Sequence, residues 1–401
     1  MLWCDILKEA MWVRKMFPLD HNQLVTRAMS RTGLKDLDSP QPETALQVLV
    51  KACNEEADLS LFGHFAARFH FSDLLETRLR LVRYWQEKPE IGEQKIASPI
   101  FVTGLARSGS TFLHGLLSQD PDNRAPLTWE LMFPFPAPTR KEFHSDPRIA
   151  KAENRLRWIR RAQPSIVKVH PVGAALPQEC IAITSYTFLS DEFLTMFRIP
   201  SYETWLRSQD MGPAYQFHRQ FLKYLQWHCS GERWVLKAPD HVHALSTLFE
   251  IYPDARVVFL HRDPIKVAGS AASLAMVLKE AFSRKRDPLQ TGADELRALT
   301  DIVRKIMVFQ ESHPFLREQF MNLQYLDLVR DPIGAVRSIY NRFRLTLSSD
   351  AETRMKASLN GAGKYKNAVR LADFGLDPHR IGTLFTDYYE HYGIEKEPVQ
   401  P

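Results

Sequence analysis

The sequence predicts an α/β fold in which a parallel sheet is flanked by helices, with a helical N-terminal region before it and a long helical insertion within it. Three observations lead there. First, four short and nearly continuous apolar runs, PIFVTG (99–104), RWVLKA (233–238), ARVVFL (255–260) and QYLDLV (324–329), each pass within a few residues into a helical pattern. Parallel strands read this way because helices cover both faces of their sheet. Second, the first run ends at Gly104, and four residues later Gly109-Ser110-Thr111 opens a helical pattern. That is the spacing of a P-loop-like strand–loop–helix unit. Third, residues 1–95 carry no such run. Their stretches ETALQVLVKACNEE and FSDLLETRLRLVRYWQEK place apolar residues three and four apart, the period of a half-buried helix.

These patterns divide the chain into a helical N-terminal region, 1–95, packed on the core, and an α/β domain, 96–401. Within that domain the insertion covers about 121–232 and is rich in aromatics and prolines, and a helical tail covers about 347–401. Hydrophobic content of 44% and charged content of 25% are ordinary for a globular protein. A net charge of +5 favours an anionic ligand, but no arginine-rich tail or glycine–aromatic signature points to nucleic acid. Cys4, Cys53, Cys180 and Cys229 form no C-x-x-C pair, which argues against a zinc cluster or a disulfide framework and fits a reducing compartment. No apolar run approaches the roughly 20 residues of a membrane span. The start, MLWCDILKEAMWVRKMF, is broken by Asp5, Lys8, Glu9, Arg14 and Lys15 and lacks a signal-peptide core. Its Leu2, Ile6, Leu7 and Met11 follow helical spacing, so an amphipathic helix packed on the domain or on a partner subunit is expected there. A cytoplasmic protein, open to homo-oligomer formation, is the expectation.

Ligands of open parallel sheets bind beyond the carboxyl ends of the strands, so the loops after the apolar runs are where chemistry is expected. In the first loop Gly104 and Gly109 permit a tight turn and close backbone approach to an oxyanion. Ser110 and Thr111 open the helix, adding hydroxyls to free N–H groups at the positive end of its dipole. The lysine of a nucleotide P-loop is missing, since its position is Ser110, and the cation of the turn is Arg107. A guanidinium grips two oxygens in a planar fork where an ammonium offers a point charge. A second anchor stands in VVFLHRDPIKVAGS, where Arg262 ends an apolar run and Ser270 follows eight residues on, inside the next helical pattern. Arginine and serine there suit a second phosphate. VRDPIGAVRS repeats the pattern with Arg330 and Ser338, and this copy reads as an Asp-Pro helix start.

Residues 99–113 and 255–274 together resemble the two donor-binding motifs of sulfotransferases that use 3′-phosphoadenosine 5′-phosphosulfate. HPVGAALPQEC, WVLKAPDHV, YPDARVVFLHRDP and LADFGLDPHRIGTLFTDYYEHYG are similar to a bacterial branch of that family, and the resemblance runs over roughly residues 40–395. It implies that Arg107, Ser108, Gly109, Ser110, Thr111 and Phe112 form the 5′-phosphosulfate loop, and that Arg262 and Ser270 hold the 3′-phosphate. Lys237 in WVLKAP matches a lysine that stabilises the transferring group. Better-known members place a histidine base two residues after that lysine, where this chain has Pro239. Glu179, with His170, is the first candidate for the base, and His241 stands in reserve. Lys364 and Tyr365 in GAGKYKN are candidates to fold over the nucleotide.

The reaction so implied is direct in-line sulfuryl transfer to a hydroxyl of a small-molecule, lipid-like, aromatic or glycolipid acceptor, with no metal expected. A positioned base contributes typically about 10²–10⁴ in rate. Two rivals share the fold. A P-loop kinase normally uses the loop lysine and a metal-binding acid, for which Asp263 is the candidate, although an Asp before a proline is also an ordinary helix cap. A non-catalytic nucleotide-binding scaffold would keep the cradles without turnover.

Overall fold

The computed structural model describes residues 19–169, 171–359 and 369–398. The expected N-terminal amphipathic helix, His170, Lys364 and Tyr365 lie outside the described residues. The chain forms two compact units. One is drawn from residues up to Glu93, Ile181–Gln220 and Val277–Arg286, and the other from Gln94–Cys180, Phe221–Met276 and the residues from Asp287 onward.

The first unit includes the helices α1 (His21–Thr32), α2 (Gln41–Glu55) and α3 (Leu61–Glu87). The Asp20 carboxylate accepts the Gln23 N–H at 2.8 Å, satisfying a backbone donor that the first turn of α1 leaves open. Ser60 does the same for Gly63 at the start of α3, at 2.9 Å. Phe71 of α3 is fully buried and meets Phe188, Phe193 and Phe197 edge-on, the favourable arrangement for aromatic quadrupoles. The aromatic stretch of residues 188–197 is therefore core in this unit.

The second unit holds the sheet. Five strands, β1 (Ile100–Gly104), β2 (Asn123–Arg124), β3 (Arg233–Lys237), β4 (Arg256–His261) and β5 (Phe320–Gln324), run parallel in the order β2-β3-β1-β4-β5. β1 is buried along its whole length, as its unbroken apolar run demands. Helix α4 (Ser110–Leu117) follows β1 and buries Leu113, Leu116 and Leu117 against Ile100, Val102, Val235 and Val258. Each such side chain contributes about 1.5–3 kcal/mol by leaving water. Register aligns the strand ends: Val102 lies opposite Lys237, Gly104 opposite Leu260, and His261 opposite Gln324. The tips of β3, β1, β4 and β5 thus open on one edge.

Two sequence expectations are corrected. The strand expected over 324–329 lies at Phe320–Gln324, and Tyr325–Arg330 is a short helix. A five-residue apolar run satisfies both periods. Tyr325 and Leu328, three apart, take the helical one, with Leu328 buried and Val329 exposed. A fifth strand, β2, also sits inside the expected insertion. Two residues are too few to show as an apolar run. The remaining labelled helices are α5 (Pro147–Ala162), α6 (Pro264–Glu280), α7 (Pro288–Ser312), α8 (Tyr325–Arg330), α9 (Pro332–Arg342) and α10 (Thr386–Tyr392).

Candidate active site

The loop between β1 and α4 is shaped by three residues with positive φ. Gly104 has φ +136°, and a Cβ on it would fall 2.4 Å from the Leu260 carbonyl oxygen of β4, so only glycine lets the two strand ends close up. Gly109 has φ +89° and rests against the Tyr325 ring. Arg107 adopts φ +63° without being glycine, a conformation costing about 1–2 kcal/mol that surrounding bonds must hold in place. Those bonds are visible. The Ser108 N–H and hydroxyl both donate to the Leu105 carbonyl, at 3.2 and 2.6 Å, which locks the turn. Ser108 therefore spends its donors inside the loop, because its buried hydroxyl has the Leu105 oxygen within reach. Ser110, buried, and Thr111, half-buried, open α4. The Phe112 side chain packs against the apolar core beneath the sheet.

The second anchor crosses the first. Arg262 directly follows β4, and its Nη1 donates to the Arg107 carbonyl oxygen at 2.6 Å. Arg107 in turn donates from Nε to Ser270 Oγ on α6 at 3.0 Å. Each loop's cation thus bonds to the other loop's anchor. The Arg262 guanidinium lies 3.8 Å above the Tyr325 ring and is gripped on its other edge by Glu397, with Nε and Nη2 donating to the two carboxylate oxygens at 2.7 and 2.9 Å. Neither Tyr325 nor Glu397 belongs to a motif. Tyr325 immediately follows β5, so the strand-end rule points to it once that strand is placed correctly. Glu397 comes from the tail with no local signal.

Asp263 is 1% exposed, and both its carboxylate oxygens are engaged. Oδ1 accepts from the Ile265 N–H at 2.9 Å and the Tyr389 hydroxyl at 2.6 Å, and Oδ2 accepts from the Glu397 N–H at 2.8 Å. It caps α6 and ties the tail to the strand end. His261, buried at the end of β4, is pushed down to about 4 by burial, and its Nε2 and Nδ1 meet Asn322 Oδ1 at 2.9 Å and the Tyr388 hydroxyl at 2.8 Å.

On the other side of β1, Lys237 ends β3 and is only 2% exposed, and its ammonium is ion-paired with the Glu179 carboxylate. The backbone holds the pair together, since the Cys180 N–H donates to the Lys237 carbonyl and the Gln178 N–H to the Pro126 carbonyl, each at 2.8 Å. Strand spacing and rise put the Lys237 Cα about 8 Å from that of Gly104, within reach of a lysine side chain. His114 of α4 is buried beneath this pair. Its Nε2 bonds the Val235 carbonyl at 3.1 Å, so that nitrogen carries the proton, and burial, followed by the Lys237 charge, pushes the ring down to about 4. His241, the reserve base, is buried with its ring edge-on to Phe101 of β1, centroids 5.0 Å apart. The turn bearing it is drawn under the sheet by the Thr103 hydroxyl, which donates to the Pro239 carbonyl at 3.0 Å.

The arrangement comprises a strained, cation-bearing loop, a second arginine–serine anchor bonded to it, and a buried lysine–carboxylate pair on the neighbouring strand. Comparison with known proteins gives the family. The model of the sulfotransferase family matches residues 99–349. The chain is 26% identical over 356 residues to the omega-hydroxy-beta-dihydromenaquinone-9 sulfotransferase Stf3 of Mycobacterium bovis, covering 84% of this chain and 86% of that protein. Its fold superposes on sulfotransferase STF1 of Mycobacterium tuberculosis H37Rv with a TM-score of 0.81 and 32% identity, over 91% of this chain and 98% of the other. Against sulfotransferase STF9 of Mycobacterium avium the TM-score is 0.86 at 27% identity, over 94% and 97%. A family match spanning more than half the chain, laid over the loop, the lysine and the second arginine, makes this protein a member of the sulfotransferase family.

Proposed function

We propose that the enzyme moves a sulfuryl group from 3′-phosphoadenosine 5′-phosphosulfate to the hydroxyl of a lipid-like acceptor by direct in-line transfer. The observation that carries this reading is the crossing of the two anchors, Arg262 Nη1 to the Arg107 carbonyl and Arg107 Nε to Ser270 Oγ. Two cationic cradles joined in this way suit one nucleotide bearing phosphate at both the 3′ and 5′ ends. The α4 N-terminus and Arg107 would receive the phosphosulfate end, and Arg262 with Ser270 the 3′-phosphate.

The chemistry then falls on Lys237 and Glu179. As the acceptor oxygen bonds to sulfur, the sulfur–oxygen bond to the phosphate breaks, and negative charge grows on the departing phosphate oxygen. Lys237 and Arg107 offset that charge, and a donor so placed is typically worth about 10²–10³ in rate. The Glu179 carboxylate takes the acceptor's proton, and the nucleotide leaves as adenosine 3′,5′-bisphosphate. A lipid-like acceptor is supported by the related Mycobacterium bovis protein, whose name gives an omega-hydroxylated dihydromenaquinone as its substrate. A kinase reading would need Asp263 for a metal ion, and its oxygens already accept three hydrogen bonds.

The test is transfer of labelled sulfate from the donor to omega-hydroxylated prenyl quinols and to long-chain alcohols, with ATP assayed in parallel. We expect transfer without added magnesium and a loss of about 10²–10⁴ in kcat for Glu179→Gln. Phosphate transfer from ATP would establish the kinase instead. Tight binding of the bisphosphate with no turnover on any hydroxyl would establish a scaffold.

A further inference from the structure

Helix α5 (Pro147–Ala162) has one face in the core and another that a merely solvated helix does not explain. Its inner side buries Ala152 and Leu156 with Trp129 and Ala174, and Phe133, Phe143 and Val172 pack around them. The Asp146 carboxylate caps its start by accepting the Arg148 N–H at 2.9 Å, and the Arg148 guanidinium lies 4.7 Å over the Trp129 ring. The helix is thus well anchored. Its outer side carries Lys151, Asn154, Arg157, Trp158, Ile159 and Arg161, all exposed. With 3.6 residues per turn, Trp158 falls near the middle of that arc, opposite Ala152 and Leu156. It is 70% exposed, and the Arg161 guanidinium lies 5.4 Å over its ring.

Charge on this helix is one-sided. Arg148, Lys151, Arg155, Arg157, Arg160 and Arg161 face a single acid, Glu153. Arg148 pairs with Asp146, and Arg160 with Glu153. Among the described residues Lys151, Arg157 and Arg161 form no ion pair within 4 Å, although the Arg157 charge acts on Glu153 and the Lys151 ammonium lies 4.1 Å over the Phe133 ring. A large indole set among cations on an otherwise exposed face is the composition of a helix lying in a bilayer interface, where tryptophan sits at headgroup level and cations meet lipid phosphates. A nucleic-acid surface would use the same cations but would gain nothing from the neighbouring aliphatic Ile159. No helix among the described residues is long and apolar enough to cross a membrane.

We propose that the outer face of α5 docks on an anionic lipid bilayer, with Trp158 and Ile159 entering the headgroup region and Lys151, Arg157 and Arg161 against lipid phosphates. The helix is also stitched to the chain leading to the candidate base. The Arg160 Nη1 donates to the Val172 carbonyl at 3.3 Å, and the Ala174 N–H to Glu153 Oε2 at 3.2 Å, five residues before Glu179. Docking therefore holds the acceptor side of the site against the phase in which a lipid hydroxyl resides. This last link rests on the proposed function, whereas the docking itself rests only on α5.

Vesicle flotation in 0.1 M salt tests the proposal, with phosphatidylglycerol–phosphatidylcholine vesicles set against phosphatidylcholine alone. Each Lys or Arg near an anionic surface is worth about a fivefold gain in partitioning. Wild-type protein should float with the anionic vesicles only. Arg157→Glu/Arg161→Glu should lower partitioning by about 25-fold or more, and Trp158→Ser/Ile159→Ser by severalfold. Arg157, Trp158 and Arg161 are exposed and Ile159 is 39% exposed, and an unchanged thermal unfolding curve would show that the variants still fold. Absence of flotation by wild-type protein would overturn the proposal, as would flotation of both variants at the wild-type level. Equal capture by duplex DNA that depends on the arginines and not on Trp158 would also overturn it, marking a general polyanion surface. Anionic vesicles that bind while no lipid hydroxyl is sulfated would leave docking intact and remove the lipid acceptor.

Discussion

The segments HRDPIKVAGS (261–270) and VRDPIGAVRS (329–338) share the same motif and the same local structure, yet they end in different places. In both, the aspartate caps a helix that begins at the following proline: Asp263 accepts the Ile265 N–H at 2.9 Å, and Asp331 the Gly334 N–H at 2.8 Å. The resemblance stops there. Arg262 leaves a strand beside the Gly104–Gly109 loop, lies over Tyr325 and bonds the Arg107 carbonyl, with 16% of its side chain exposed. Arg330 ends helix α8, is 58% exposed and meets Glu395, equally exposed. Ser270 accepts a hydrogen bond from Arg107, whereas Ser338 donates back into its own helix, to the Gly334 carbonyl at 3.0 Å. The motif specifies a helix start, and its position at a strand tip next to the loop is what can make it an anion site.

The largest predicted difference is between the arginines. Arg262→Ala should weaken adenosine 3′,5′-bisphosphate by about hundredfold or more, since truncating a desolvated, hydrogen-bonded charge typically costs 2–5 kcal/mol. Arg330→Ala should stay within about twofold, because exposed ion pairs are worth little. Calorimetric titration of both variants reads this directly, and equal losses would erase the distinction. Next come the serines. Ser270→Ala should weaken the bisphosphate by about tenfold, the value of one hydrogen bond to a charged group, with Ser338→Ala unchanged.

The tail acids should act more weakly and in the opposite direction. Glu397 holds the fork of Arg262 that a phosphate would take, so Glu397→Gln should tighten the bisphosphate by about fivefold, as a competing closed state is lost. Glu395→Gln, on Arg330, should leave it unchanged. Weaker binding in Glu397→Gln would instead make Glu397 a support for Arg262.

A last difference bears on stability and not on affinity, and concerns His261, which stands where the second copy has Val329. Its folded value of about 4 lies below the ordinary 6.5, so between those values the unfolded chain binds a proton that the folded chain does not. Stability from this group is complete above pH 6.5 and falls as the pH drops toward 4, by at most roughly 3 kcal/mol. His114 and His218, held at about 4 and about 3 by burial, add to the same slope. Urea unfolding at stepwise lower pH should show a shallower decline for His261→Asn than for wild type. Parallel declines would assign the acid sensitivity to other groups.

Much of this architecture was legible because it depends on local pattern. The apolar runs before Gly104, Lys237 and Arg262 are buried strands, and glycine spacing located the loop. What depends on distant partners was not legible. The run Tyr325–Val329 satisfies helix and strand periods alike, so its pattern points one segment past β5 and gives no sign that Tyr325 stands at a strand tip. The approach of Glu397 to Arg262 spans 135 residues and leaves no trace in either segment's periodicity. The bond from Arg107 to Ser270 depends on how α6 leaves β4, which residue types alone do not set. His241 looked available because it follows Lys237 closely, but the turn at Pro239 carries its ring beneath β1.

The most direct test of the account is the affinity of the wild-type protein for adenosine 3′,5′-bisphosphate relative to adenosine 5′-phosphate, measured by calorimetry in one buffer. Joined cradles predict a preference of about hundredfold or more for the bisphosphate, the worth of a partly buried arginine–phosphate contact. Equal affinity for the two nucleotides would contradict the account.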